Sequence, residues 1–470
     1  MTSLHFPWLV LAAGLPLIGA IVVGRLRRGE QAFLWAAVFH ATTLACCVGA
    51  AVDFYLSRTA EAWDPTPLAG RQLFVIDDLN APLLPLVAGL HFLRTFTTAR
   101  TQMRRSSFAL ALIAESIRVA VFSCRAPGPL IAFLVAGIVP PIVEQVSRNR
   151  SVRIYCAHMA LFVVLMIGGW AAIGVSTSLA AAMLLGAVLV RSGVVPVHCW
   201  LIDLFESATL GTAALFVCPL TGAYLAVRLV LPIAPEWVLQ SLGVASLVTA
   251  VYASCMAVVQ QDARRFVAYL FLSHASLVLV GLELHTEVSL TGALALWVSV
   301  ALSVGGFGLA LRALEARYGR LSLTDYRGLY EQSPALATCF LLTGLGCVGF
   351  PGTLGFIGAE MLVDGAVEAS PLVGVAIAAS SALNGIAVMR AYFLLFTGTR
   401  HISSVSLTVR LRERLALVTL ALLIVGGGLV AQPGIESRRR AAEAVLAERR
   451  DRLDNPAEPK RGASVAVFVP

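Results

Sequence analysis

Apolar runs long enough to cross a lipid bilayer recur at least thirteen times along this chain of 470 residues. About 20 such residues cover a hydrocarbon layer roughly 30 Å thick when they are helical, and open strands would leave backbone groups unpaired in lipid. Mean hydropathy is +0.83 and 58% of residues are hydrophobic. The pattern therefore predicts an all-α integral membrane protein with about fourteen transmembrane helices. We expect spans near 6–24, 32–52, 81–99, 107–125, 127–146, 153–173, 178–200, 207–231, 236–259, 264–283, 288–312, 336–365, 371–397 and 413–432.

The net charge of +8 comes mostly from arginines in alternate loops, and it does not indicate nucleic-acid binding. By the positive-inside rule these loops are cytoplasmic, which predicts that the N-terminus and loop 53–80 lie on the opposite face. An even number of spans also places the basic tail there, against the rule. Either one span is miscounted or a partner anchors the tail. The loop arginines are Arg25, Arg27, Arg28, Arg100, Arg104, Arg105, Arg148, Arg150, Arg153, Arg264, Arg265, Arg317, Arg320, Arg327, Arg400, Arg410, Arg412 and Arg414.

The tail and the cysteines add little to a functional assignment. Segment 436–453 is predicted to form an amphipathic helix on a membrane or a neighbouring subunit, or alternatively a solvated helix. The nine cysteines lack metal-type spacing, and most lie inside apolar spans. We expect no metal or other cofactor in this chain.

Two of the predicted spans contain helix breakers. Pro196 interrupts the seventh, and Pro351, within Phe350-Pro351-Gly352, interrupts the twelfth, five spans later. Corresponding breaks in two halves suggest two inverted five-helix repeats, spans 4–8 and 9–13. This predicts four regions: 1–106 with spans 1–3, 107–231 and 236–397 as the two repeats, and 398–470 as the last span and tail.

Three stretches of sequence, in this order and separation, resemble one family. They are 195–203 (VPVHCWLID) with 224–228 (YLAVR), 262–269 (DARRFVAY) with 273–274 (SH), and 350–360 (FPGTLGFIGAE) with 390–393 (RAYF). The chain is similar over about 75–400 to the antiporter-like membrane subunits of respiratory complex I, nearest the M-type, and to their Mrp antiporter relatives. The resemblance implies fourteen spans with a broken seventh and twelfth.

The ionisable residues that this resemblance implies are largely replaced. The fifth-helix glutamate aligns with Val135, the seventh-helix lysine with Arg191, the eighth-helix lysine or histidine with the window from Phe216 to Leu220, the eleventh-helix histidine with Val300, and the twelfth-helix lysine or glutamate with Ala359. The single lysine of the chain is Lys460. Buried lysines can exchange protons near neutral pH, whereas arginine effectively never deprotonates. We therefore expect the first half to have lost its proton path.

Four ionisable residues within the predicted spans are candidates for an ion path or for structural charges, because such residues are costly in lipid. They are Glu115, Arg191, His274 and Glu360. Glu115 is predicted to pair with Arg118 one turn away or with Arg191, and the alternative partners of Arg191 are backbone carbonyls or a helix C-terminus. His274 either titrates or is a hydrogen-bonded structural histidine. Glu360 takes the twelfth-helix role if the alignment slips by one residue; otherwise it points about 100° away from that position.

The leading functional hypothesis is a non-catalytic membrane subunit of a complex I-like or Mrp-like assembly, impaired in proton conduction in its first half. We expect it in the cell inner membrane with other membrane subunits, with a soluble subunit on the cytoplasmic face as an open possibility. The alternative is the membrane partner of a soluble zinc-dependent, carbonic-anhydrase-like protein in inorganic-carbon uptake. An autonomous transporter would need a substrate site, and no motif for one is visible.

Overall fold

The computed structural model describes residues 6–57, 72–99, 103, 107–284, 286–398 and 411–454. These residues form helices and no strand, with two isolated bridges, Phe74–Cys124 and Asp262–Ser322. The helices are α1 (Trp8–Gly24), α2 (Gly29–Ser57), α3 (Leu83–Phe96), α4 (Phe108–Ser123), α5 (Pro127–Ala136), α6 (Val139–Ser147), α7 (Arg153–Ala172), α8 (Thr177–Ser192), α9 (Cys199–Ser207), α10 (Leu210–Val217), α11 (Thr221–Leu225) with a π-helical extension (Ala226–Val230), α12 (Glu236–Val259), α13 (Ala263–Glu283), α14 (Glu287–Tyr318), α15 (Pro334–Val348), α16 (Leu354–Ala369), α17 (Pro371–Phe396), α18 (Leu411–Leu429) and α19 (Gln432–Asp454).

The predicted all-helical membrane architecture is confirmed. Eight helical segments in the described ranges are long and apolar enough to cross a membrane, and four helices of 10–17 residues are apolar but shorter. Helices α18 and α19 would make a ninth span only if taken together, but they meet at an angle of 77°. The count of fourteen spans, the inverted repeats and the four regions stay predictions.

Helix breaks occur at both predicted positions. Helix α8 ends before Gly193, which has a φ of +71°, and Pro196 lies in the connection to α9. Helix α15 ends before Gly349, which has a φ of +74°, and Pro351 lies in the connection to α16. Positive φ favours glycine because it has no Cβ, so each of these helices ends where the sequence has a glycine.

Two further breaks interrupt spans that we predicted as continuous. The fifth divides into α5 and α6 at Gly137, just before Pro140. The eighth divides into α10 and α11 around Pro219 and Leu220, and Leu220 adopts a φ of +51° although it is not a glycine. The first break follows Val135 by two residues, and the second falls within the window from Phe216 to Leu220.

Helices α13 and α14 form the centre of the molecule. Almost every side chain of α13 is buried, and α14 is buried from Ser289 to Leu314 apart from Val298. Helix α14 packs against α10, α13, α15, α16, α18 and α19. A helix that is apolar around its whole circumference belongs in a protein interior, as here.

The tail helix α19 lies on its own chain. Arg438 donates to the carbonyl oxygens of Leu79, at 3.0 Å, and Asp78, and Arg449 donates to that of Leu231 at 2.9 Å. Ala441 and Ala442 are buried beneath the helix. The interpretation of α19 as a freely solvated helix is therefore wrong, and its packing on a membrane or a neighbouring subunit stays a prediction for its exposed face. The contacts of α19 are with helix ends opposite the arginine loops.

Candidate functional site

Glu115 forms a buried pair with a histidine that the sequence analysis missed. Its Oε2 lies 2.7 Å from Nδ1 of His40 on α2, and both side chains are fully buried. Arg118, one turn along α4, instead donates to Nε2 of His91 at 3.3 Å and to the carbonyl oxygen of Ala114 at 3.2 Å. The predicted pairs of Glu115 with Arg118 and with Arg191 are both wrong. The missed signal was a histidine in each of spans 2 and 3, outside the motifs that carry the resemblance.

Arg191 is held by an aromatic ring and a backbone carbonyl. It lies in the last turn of α8, where its guanidinium carbon is 4.0 Å from the ring centroid of Phe216 and 5.9 Å from that of Trp200. Its Nη2 donates to the carbonyl oxygen of Phe216 at 3.3 Å. The alternative partner that we left open, a backbone carbonyl, is the one observed. A desolvated cation over a ring gains about 2 kcal/mol.

The positions that the resemblance aligns with family ionisable residues on helices five, eight, eleven and twelve have apolar side chains. Phe216, Leu220 and Val300 are buried, whereas Val135 at the end of α5 and Ala359 on α16 are partly exposed. No titratable side chain stands at any of them. Phe216 also makes a specific contact, because its ring lies against the guanidinium of Arg191.

Glu360 faces away from the interior. It is exposed on α16, and Asp364 and Glu368, each four residues further along, are exposed on the same face. None of these three carboxylates has a hydrogen bond or ion pair with the part of the chain that the structure describes. The exposed position of Glu360 favours the alternative that it points away from the twelfth-helix position, and its role in an ion path stays a prediction.

In the second half, His274 is buried on α13 and its Nδ1 donates to the carbonyl oxygen of Leu270, 2.8 Å away in the same helix. Beside it, the amide of Asn384 donates to Ser273 at 2.9 Å, and Ser273 donates to the carbonyl oxygen of Ala250. The group is polar but contains no carboxylate or lysine, and a carbonyl-bonded imidazole has a defined orientation.

Charged residues in the stretch 262–269, one of those that carry the family resemblance, connect helices at the face that bears the arginine loops. Asp262 accepts from the backbone N–H groups of Arg264 and Arg265 and so caps α13. The guanidinium of Arg264 forms two hydrogen bonds to Glu315, at 2.8 and 2.7 Å, and donates to the carbonyl oxygen of Ala208. These contacts tie α9, α13 and α14 together. Their role is structural in this chain.

Four buried arginines without a carboxylate partner among the described residues lie in the interior, three in the first half of the chain and one, Arg312, on α14. Arg94, Arg118, Arg191 and Arg312 are each at most 6% exposed, and none forms an ion pair with a described residue. Arg312 donates to the carbonyl oxygen of Arg94 at 3.0 Å and to Thr98 at 3.1 Å. The sequence analysis identified only Arg191 among the four as a candidate, although Arg118 was named as a possible partner of Glu115.

Comparisons with known proteins agree with the family resemblance seen in the sequence. Residues 157–384 match the family model for the NADH:quinone oxidoreductase/Mrp antiporter transmembrane domain. NADH-quinone oxidoreductase subunit M of Rickettsia bellii is 29% identical over 212 residues, which are 44% of this chain and 43% of that protein. The chain spans about half or less of the length of the curated relatives it matches.

Two solved structures share the fold over nearly the whole chain. A chain of respiratory complex I from Thermus thermophilus with bound NADH has a TM-score of 0.82 at 22% identity, covering 94% of this chain and 99% of that one. A chain of the Mrp complex from Dietzia sp. DQ12-45-1b has a TM-score of 0.80 at 18% identity, covering 93% and 97%. In sequence, segment 157–384 is thus similar to the NADH:quinone oxidoreductase/Mrp antiporter transmembrane domain, and the fold is shared over nearly the whole chain.

Proposed function

We propose that this chain is a non-catalytic membrane subunit of a complex I-like or Mrp-like ion-translocating assembly, and that its first half does not conduct protons. It would work in the inner, cytoplasmic membrane beside other membrane subunits. The observation that carries the subunit role is the row of exposed carboxylates Glu360, Asp364 and Glu368 on α16.

Ionised carboxylates facing lipid are unfavourable, so membrane proteins turn them toward a partner or a water-filled cavity. Glu360 lies six residues into α16, a helix that continues the broken span of α15. A neighbouring membrane subunit with basic or hydrogen-bonding side chains would cover this face. The names of the relatives agree with this, since they are subunits or chains of multi-subunit complexes.

Loss of proton conduction is supported by the geometry around Arg191. A relay needs groups that gain and release protons in turn, but Arg191 is pinned by Phe216, and Leu220 and Val135 provide no titratable group. His40, His91 and Glu115 are titratable and buried. Toward the ends of α2 and α4 that lie opposite the arginine loops, they are followed by apolar residues such as Cys47, Val119 and Phe122. That group therefore reaches only part of the way across.

The subunit role is tested by purifying the tagged chain from its native membrane in mild detergent and identifying what co-purifies. We expect other membrane subunits, and we expect Glu360→Arg to reduce their yield several-fold while Glu331→Arg does not, because Glu331 is an exposed carboxylate in the connection between α14 and α15 and not on α16. Recovery of the wild-type chain alone, with robust cation–proton exchange in liposomes, would contradict the proposal.

The conduction claim has its own test in vesicles containing the assembly. Restoring two family residues with Val135→Glu and Arg191→Lys should give no additional proton flux, because Phe216 and Leu220 still block the path. Glu115→Gln in an intact assembly should leave the flux unchanged. A flux that rises in the double variant or disappears with Glu115→Gln would show that the first half conducts.

A further inference from the structure

Two adjoining cavities lie among the buried arginines of the first half. The first is lined by Arg118, Arg191, Phe216 and Thr221, and the second by His91, Arg94, Arg118 and Glu144. Each has a volume of about 20 Å³, and both have Ala114, Arg118 and Pro140 in their walls. That volume holds about one particle the size of a water molecule.

Several hydrogen-bond donors that line these cavities have no partner among the described residues. They include Nε and Nη1 of Arg94, Oγ1 of Thr221 and Nδ1 of His91. Nδ1 of His91 must be a donor. The reason is that Arg118, which has no acceptor, bonds to Nε2 and thereby places the ring proton on Nδ1. The side chains of Arg94, Thr221, His91 and Arg118 are all more than nine-tenths buried.

The charges around the cavities do not balance. Among the described residues that line them, three guanidinium groups, of Arg94, Arg118 and Arg191, face the single carboxylate of Glu144, which already accepts from Thr209 and Thr212. Glu115 is occupied by His40 and lines neither cavity.

A fourth cation reinforces the excess. A methyl group added at Gly211 would lie 3.1 Å from Nε of Arg94 and 3.4 Å from Nη1 of Arg312, so these two guanidinium groups converge on one point. Like charges this close in a low-dielectric interior repel strongly unless a counter-ion lies between or beside them. Water could satisfy the donors but would leave the charges unbalanced.

We propose that the paired cavities around Arg118 form a binding site for one small monovalent inorganic anion of halide size. Unpartnered N–H and O–H donors and uncompensated guanidinium groups are the chemistry that recognises such an ion. The small size of the cavities favours a single-atom halide over the larger, divalent sulfate or phosphate. This site occupies the region where the family resemblance implies a proton path.

The test uses the full chain, with whatever subunits co-purify, in detergent at constant ionic strength. Sodium gluconate is replaced stepwise by chloride, bromide or sulfate while the unfolding temperature is followed by tryptophan fluorescence. A ligand that binds only the folded state raises Tm in a saturable way, here by roughly 2–5 °C. We expect this rise with chloride and bromide and not with sulfate.

Two variants locate the site. Arg94→Gln should remove the chloride-dependent rise in Tm. Arg228→Gln is the control, because Arg228 is a largely buried arginine, with 8% of its side chain exposed, that already has a carboxylate partner, Asp77, at 2.7 Å; it should retain the rise even if its own Tm is lower. If Arg94→Gln does not fold, Thr221→Val, which removes one unpartnered hydroxyl, should weaken the response.

Direct binding of radioactive chloride to the wild-type protein decides the matter independently of the variants. Saturable binding of about one ion per chain supports the site. Equal Tm in gluconate and chloride together with no saturable binding would overturn it and leave water as the occupant. A chloride response that survives Arg94→Gln and is lost in Arg228→Gln would also overturn it.

Discussion

At the scale of single residues, two substitutions compensate each other. The sequence places arginine where the family resemblance implies lysine on the seventh helix, and phenylalanine within the window of the missing basic residue on the eighth. In the structure the guanidinium of Arg191 rests on the ring of Phe216 and bonds to its carbonyl oxygen. A permanent charge next to a π-face is stable but cannot pass a proton onward.

The His40–Glu115 pair predicts a double-mutant cycle. Replacing one partner of a fully buried pair strands the other, so His40→Leu should lower the free energy of unfolding by about 3–5 kcal/mol unless Glu115 becomes protonated. The combined variant His40→Leu/Glu115→Leu should recover most of that loss. Thermal unfolding of the purified chain measures both. His158→Leu is the control, because His158 bonds only to a carbonyl of its own helix.

Additive losses in the double variant would show that the two side chains are stabilised separately and not by each other. That result would also mean that pairing with His40 does not explain why Glu115 fails to pair with Arg191.

At the scale of elements, the tail helix shows how basic residues can be retained away from the cytoplasmic face. Arg438 and Arg449 are buried, and both donate to backbone carbonyls of other elements. Arg125 reaches Glu448 at 3.1 Å and Tyr55 bonds Ser437 at 2.8 Å, so α19 is held along its length. Hydrogen bonds from charged donors typically contribute about 1.5–3 kcal/mol each.

We therefore expect Arg438→Gln to destabilise the folded protein by about 2 kcal/mol and to expose the tail to trypsin, which cleaves at its many arginines. Arg439→Gln is the control: Arg439 is 44% exposed and pairs with Glu436 and Glu443 on the same helix and, at 3.7 Å, with the exposed Glu287 of α14, and exposed pairs contribute about 0–1 kcal/mol. Limited proteolysis and Tm give the two readouts. Equal protease resistance in both variants would mean that α19 is held by its apolar face alone.

At the scale of the whole molecule, arginine loops and tail lie on opposite faces. The ends of α2, α4, α12 and α14 that contact α19 are the ends opposite the arginine loops. Ion pairs such as Arg265–Glu206 and Arg320–Asp262 join the loops on the other face. The positive-inside rule then assigns the arginine face to the cytoplasm.

This assignment predicts the result of a labelling experiment on intact cells. A membrane-impermeant maleimide should label Arg450→Cys from outside, whereas Arg150→Cys should react only after permeabilisation, since both positions are exposed but lie on opposite faces. Cys199 and Cys255 are exposed in the native chain, so the unmodified protein gives the background. Labelling of residue 150 in intact cells would reverse the topology.

Helix positions, the arginine face and the breaks at Pro196 and Pro351 could all be predicted from the sequence, because hydropathy, charge placement and backbone-restricting residues act locally. The prediction that Val135, Arg191 and Phe216 replace family residues likewise rests on the sequence alone. Which side chains contact each other could not be predicted from the sequence. Glu115 pairs with His40 from a helix 75 residues away in sequence, Glu360 faces outward, and Arg94, Arg118 and Arg191 gather around two cavities. Those outcomes depend on helix rotation and packing between distant segments, which only the tertiary structure decides.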